Sequence, residues 1–201
     1  MKPEGGSLFF AILFLLVLFQ RAIELGVANR NAAAIRSQGG YEVGKEHYKY
    51  LVLLHTAFFL SLSLEVALLR GRGMPTWWSI PFTLFLLAQM GRFWAIHSLG
   101  VHWNTRIFIL PGSPPAQKGP YLYLKHPNYA VVMTEMLMLP LTFGAWRTAL
   151  VFSLANAFLL CCVRIPAEEA AWREVGTPLG GRQKGESELQ SCPPPVPPHK
   201  R

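Results

Sequence analysis

GPYLYLKHPNYAVVMTEMLMLPL, Gly119 to Leu141, runs from a Gly-Pro turn through a cluster of tyrosine, lysine and histidine straight into an apolar segment. His126 and Pro127 mark the junction. Proline suits the first turn of a helix, where the N–H it lacks would have no intrahelical partner, so His126 is expected at the helix start. Free backbone N–H groups then lie beside His126, where they favour anions. Polar chemistry sits at the mouth of an apolar helix, as it would at a membrane surface.

Outward from this stretch the chain is apolar in blocks. Of its 201 residues 51% are hydrophobic and only 15% charged, which is too apolar for an ordinary soluble domain of this length. Tyr50 to Leu69 and Trp77 to Ile96 have the length of membrane spans and carry Tyr or Trp at their ends. Leu8 to Phe19 is too short by itself and reaches spanning length only if extended to Ala28, which takes in Gln20, Arg21 and Glu24. Arg21 and Glu24, three apart, can pair. A cleaved signal peptide is the competing reading of this run, but no small-residue cleavage site follows it. Asn128 to Thr142 and Trp146 to Val163 form a helical hairpin about Phe143, Gly144 and Ala145, with Pro140 expected to kink the first arm. The expected fold is an all-α integral membrane protein of about five transmembrane helices with a C-terminal helical hairpin. No GxGxxG follows a strand, so no Rossmann domain is expected.

The net charge of +8 has a topological reading. Residues 20–49, 92–125 and everything after Val163 hold all the lysines and arginines except Lys2, Arg70, Arg72 and Arg147. With an odd number of spans these regions share one side, which the positive-inside rule makes cytoplasmic. No basic stripe interleaved with aromatics appears, so nucleic acid is not an expected partner. Cys161, Cys162 and Cys192 have no metal or disulfide spacing, and His47, His55, His97 and His102 are scattered, so no metal is expected either. Residues 1–172 read as one membrane domain. Residues 173–201, rich in Gly, Pro and charge, read as a disordered tail with a PPPVPP run.

Because the last two spans form a hairpin, the polar residues before the fourth and after the fifth meet at one exit. His126, Asn128 and Tyr129 come from one arm, and Arg164, Glu168 and Glu169 from the other. Arg164 and Glu168, four apart, are expected to pair on one helix face. Two adjacent acids with an arginine also suit a cationic, zwitterionic ligand, and a sulfonium cofactor with an ammonium and a carboxylate fits that description. Glu135 lies two turns beyond Asn128 on the same face. A carboxylate at that depth needs a partner, and Arg92 is the candidate. Glu65 is read as structural.

GPYLYLKHPNY, the following helix with Glu135, and RIPAEE, Arg164 to Glu169, together resemble the isoprenylcysteine carboxyl methyltransferase family in its small bacterial form. ELGVANRNAAAIRSQGGYEVGKEHYKYLVLLH and WNTRIFILPGSPPAQ are similar to it too, so the likeness covers residues 20–172. It implies an integral membrane enzyme, in the inner membrane if the source is bacterial, and the charge distribution has its site facing the cytoplasm. Such an enzyme moves the methyl of S-adenosylmethionine to an oxygen of a lipophilic or prenylated acceptor, an isoprenylcysteine carboxylate or a long-chain pyrone or phenol. By this resemblance Ser113, Pro114, Pro115, Ala116, Tyr121, His126, Pro127, Asn128, Tyr129, Glu168 and Glu169 would bind the cofactor. Arg164 and Glu168 would be catalytic, Arg164 orienting the acceptor. Two features depart from the family pattern. Pro166 stands between Arg164 and Glu168, and the aromatic amphipathic stretch expected after the paired glutamates is lost beyond Trp172. They define the alternative, a member with the fold but impaired catalysis. A small transporter is the other alternative, but no repeat or paired interrupted helices support it.

Overall fold

The computed structural model describes residues 3–69, 71, 73–113 and 117–175. Helix α1, Pro3–Ser37, is 35 residues long. At 1.5 Å per residue it measures about 50 Å, against roughly 30 Å for a bilayer core, so its last turns project beyond the membrane. Helices α2, Lys45–Leu68, and α3, Ser79–Leu99, are the next two spans. Helix α4, Pro127–Thr142, and helix α5, Trp146–Phe158, make the hairpin about the left-handed Gly144. A π-helical turn, Leu159–Arg164, joins α5 to α6, Ile165–Glu174. The rods Gly5–Ser37, Lys45–Leu68, Ser79–His102 and Trp146–Glu174 are long and apolar enough to cross a membrane. At 16 residues, or about 24 Å, α4 is shorter and lies packed between α3 and α5. The expectation of about five spans thus resolves into four full-length rods and one short helix.

Side chains such as Leu15, Phe19, Leu53, Leu60 and Leu154 face outward along these helices, as a lipid-facing surface requires. Inside, Val17, Phe58, Leu62, Phe85, Met136 and Leu139 close the core. Phe9 meets Phe82 and Phe10 meets Phe143 edge to face, with centroids 5.3 and 5.0 Å apart, which pins the start of α1 to the others. A Cβ on Gly6 would lie 3.3 Å from Met74, and one on Gly144 3.1 Å from Pro75. The start of α1, the α2–α3 connection and the hairpin turn therefore share one end of the bundle.

The opposite end carries a feature that the sequence reading did not contain. Strands β1, Tyr41–Val43, and β2, Ile107–Ile109, pair antiparallel with Val43 opposite Ile107. Val43, Ile107 and Ile109 receive Ala167, Ala171 and Trp172 of α6 and Val175 just after it, so this helix is docked on the ribbon. The sequence-based domain boundary after Trp172 falls inside α6. Residues 176–201, the bulk of the expected disordered tail, lie outside the described residues. On the other ribbon face Glu42 takes Arg36 at 2.8 Å and Arg106 at 3.4 Å. Asn31 of α1 donates to the carbonyls of Gly100 and Trp103 at 3.1 and 2.7 Å, tying the projecting end of α1 to the connection that leads into β2.

Candidate functional site

At this ribbon end α4 begins as expected, with Pro127 buried in its first turn and His126 at its cap. One turn on, the Tyr129 ring stacks on His126 at 5.3 Å. The Tyr129 hydroxyl donates to Glu168 Oε2 at 2.5 Å and accepts from Arg164 Nε at 3.3 Å. Arg164 is 3% exposed, and its Nη2 donates to the Thr105 carbonyl at 2.6 Å. Around the acids, Lys125 Nζ lies 2.5 Å from Glu169 Oε1, His126 Nε2 3.6 Å from the same oxygen, and His126 Nδ1 4.0 Å from Glu168 Oε2. Tyr121 stands in a 3₁₀ turn, Gly119–Leu122, where burial and the nearby Glu168 carboxylate push its hydroxyl well above the ordinary phenol range.

The expected Arg164–Glu168 ion pair is not present, and the Tyr129 hydroxyl joins them instead. The π-helical turn ends at Arg164 and α6 continues from it, but the Tyr129 hydroxyl of α4 lies between the two side chains, accepting from Arg164 and donating to Glu168. Arg164 then reaches toward Thr105. Pro166 itself falls in the first turn of α6, where a missing N–H removes no needed bond. Ser113 donates its N–H to the Leu110 carbonyl at 3.1 Å, and among the described residues nothing joins it to the cluster. Pro114, Pro115 and Ala116 lie outside the described residues.

Deeper in the bundle is a second polar layer. Glu135 receives Arg92 Nε at 2.8 Å and also pairs with Arg92 Nη2, as the sequence suggested. It also meets Arg21 at 3.2 Å. Glu24 in turn takes Arg21 at 2.6 Å and Arg92 at 3.3 Å, so the two expected pairs merge into one neutral quartet drawn from α1, α3 and α4. Glu65 is structural: it accepts from the N–H groups of Arg147 and Thr148 at 3.2 and 2.7 Å and so caps α5.

A cavity of about 310 Å³ links the two layers. Tyr48, Trp103, Thr105, Asn128, Tyr129 and Arg164 wall its polar end; it passes the quartet and His55 and closes on Phe58, Phe59, Phe85 and Leu139. His126, Glu168 and Tyr121 are not among its walls, so Tyr129 and Arg164 stand between this chamber and the acidic cluster. The sequence reading missed Tyr48, His55, Trp103 and Thr105. A histidine inside an apolar span was a readable signal, but the other three reach the site only through the folding of α2 and the connector.

The pattern of the isoprenylcysteine carboxyl methyltransferase (ICMT) family matches residues 80–174. The chain is 44% identical to the uncharacterized protein YpbQ of Bacillus subtilis over 165 residues, which cover 82% of this chain and 97% of that one. An uncharacterized protein of Haemophilus influenzae is 30% identical over 165 residues, covering 82% and 95%. No solved structure matches the chain significantly.

Proposed function

Since the chain belongs to the isoprenylcysteine carboxyl methyltransferase family and is a membrane methyltransferase in kind, we propose that it methylates an oxygen of a lipophilic acceptor from S-adenosylmethionine, on the cytoplasmic side. The single observation that carries this reading is Tyr129, whose hydroxyl joins Glu168 to Arg164 between an acidic cluster and a largely apolar chamber.

The residues present suit the cofactor. His126 Nε2 is buried without a hydrogen-bond partner, and it stands beside Glu168 and Glu169 at the start of α4. Glu168 and Glu169 would take the ammonium, while His126, Asn128 and the start of α4 would take the carboxylate. Tyr121, Pro127 and Tyr129 would form the walls. When bound, S-adenosylmethionine supplies an electrophilic methyl on a sulfonium.

Arg164 would hold the acceptor's anionic oxygen at the polar end of the chamber, with its guanidinium oriented by Thr105 and Tyr129. A carboxylate, with a pKa of about 4, is already ionised at neutral pH, so alignment and exclusion of water matter more than a general base. Phe58, Phe85 and Leu139 would receive the lipid chain.

The test is transfer of labelled methyl by purified protein to a farnesylated cysteine analogue and to a long-chain phenol or pyrone. A base-labile product identifies a methyl ester, and a stable one an ether. Arg164→Ala and Glu168→Ala should each lower transfer by about a hundredfold or more, on the scale of a charged hydrogen bond lost at a transition state, while the protein still inserts. Full activity in both variants would remove the site assignment. Absence of S-adenosylmethionine binding by calorimetry would instead mark a family member without catalysis.

A further inference from the structure

We infer that His55 is a second polar contact for the acceptor, part-way along its chain, selecting lipids that carry a hydroxyl or N–H about 10 Å from the head. This rests on the reading of the 310 Å³ cavity as the acceptor's chamber. His55 lines that cavity from the middle of α2, two turns beyond Tyr48. The Leu51 carbonyl, 2.8 Å from Nδ1, can only accept, so Nδ1 carries the proton and the tautomer is fixed. Nε2 is left as an acceptor, and among the described residues nothing bonds to it. Nor is it sealed off, as His47 Nε2 and His126 Nε2 are.

The other polar side chains of the wall at this depth already have partners. Arg21, Glu24, Arg92 and Glu135 pair with one another, and Thr56 gives its hydroxyl proton to the Val52 carbonyl at 2.8 Å. Those four charges cancel, so no counter-ion is left over for a charged imidazole, and the ring serves as a neutral acceptor. A plain alkyl chain running past leaves Nε2 without a bond, whereas a hydroxyl or an amide N–H supplies one. A ketone or an ether brings only acceptors and cannot. The depth follows from two walls. Tyr48 and His55 are seven residues apart on α2, and Asn128 and Glu135 are seven apart on α4. At 1.5 Å per residue both spacings put this layer about 10 Å below the polar end, which an extended chain spans in about eight or nine bonds. Beyond it Phe58, Phe59 and Leu139 suit the apolar remainder.

Binding to the full chain in phosphatidylcholine nanodiscs, read above that of empty nanodiscs, tests this contact with four probes of one chain length: octadecanoate, 10-hydroxyoctadecanoate, 5-hydroxyoctadecanoate and 10-oxo-octadecanoate. The wild type should hold 10-hydroxyoctadecanoate about fivefold more tightly than the other three, the worth of one neutral hydrogen bond. His55→Phe, which keeps a flat ring and removes the acceptor, should lose that preference and hold octadecanoate as before. A wild type that binds all four alike would overturn the inference. So would an equal gain from the 5-hydroxy or the 10-oxo probe, since the depth or the acceptor would then be wrong. A His55→Phe protein that keeps the preference, or that weakens all four alike, would overturn it too, because the ring would then act by packing. Methyl transfer is read separately. A hydroxyl preference without transfer would sink the methyltransferase reading and leave the contact; transfer without the preference would do the reverse.

Discussion

Tyr121 and Gly119 share one short turn near the acidic cluster. Burial and the Glu168 carboxylate raise the pKa of Tyr121, so the folded protein keeps a proton that the unfolded chain releases near pH 10. That contribution is complete below about pH 10 and is lost as the pH rises further. Melting in detergent should therefore fall more steeply above pH 10 for the wild type than for Tyr121→Phe; parallel profiles would mean that Tyr121 is not linked to folding. Gly119 has φ 57°, and a Cβ there would lie 2.1 Å from Ser98 Oγ and 3.0 Å from Trp94 Nε1. Gly119→Ala should destabilise by roughly 1–3 kcal/mol from backbone strain, with the Ser98 clash added, measured as a lowered melting temperature. A melting temperature equal to the wild type would refute that account. A turn at Gly119 and Pro120 was legible in the sequence. Its tight seat on α3 was not, because Ser98 and Trp94 come from a different element.

Among the elements, the neutral quartet explains how the helices keep their register. Glu24 and Arg21 from α1, Arg92 from α3 and Glu135 from α4 satisfy one another in a region without bulk water. Removing one member leaves a buried charge exposed to apolar surroundings, at a cost of about 3–5 kcal/mol, whereas removing a pair together is far milder. Arg92→Met and Glu135→Leu should each lower stability by about that much, and the double variant by clearly less than their sum, in a double-mutant cycle of detergent unfolding. Additivity would show that the pair is not coupled. The sequence marked each of these residues as a charge in an apolar run and proposed Arg92 for Glu135. It could not merge the pairs, since helical spacing relates residues of one helix only. The same limit hid the docking of α6: its helical form follows from local sequence, but the ribbon it rests on joins Tyr41–Val43 to Ile107–Ile109, two short runs far apart in the chain.

For the molecule as a whole, the acidic cluster and the polar end of the chamber lie at the ribbon end, and the opposite end is closed by aromatic packing around Phe143. From the distribution of lysine and arginine we propose that the ribbon end faces the cytoplasm. With Cys161, Cys162 and Cys192 replaced by alanine, a single cysteine at Lys118 should react with an impermeant maleimide only from the cytoplasmic face, and one at Trp146 only from the other. The opposite pattern would invert the topology. The apolar blocks, the hairpin, the helix start at Pro127 and the basic asymmetry were determined by the sequence itself, because each depends on hydrophobic length, proline geometry or charge, which are local properties. The tertiary structure alone decided that Tyr129 stands between Arg164 and Glu168, that Trp103 joins the wall of the chamber, and that four charges form one cluster. Such contacts join distant elements, and their geometry exists only once the helices have packed.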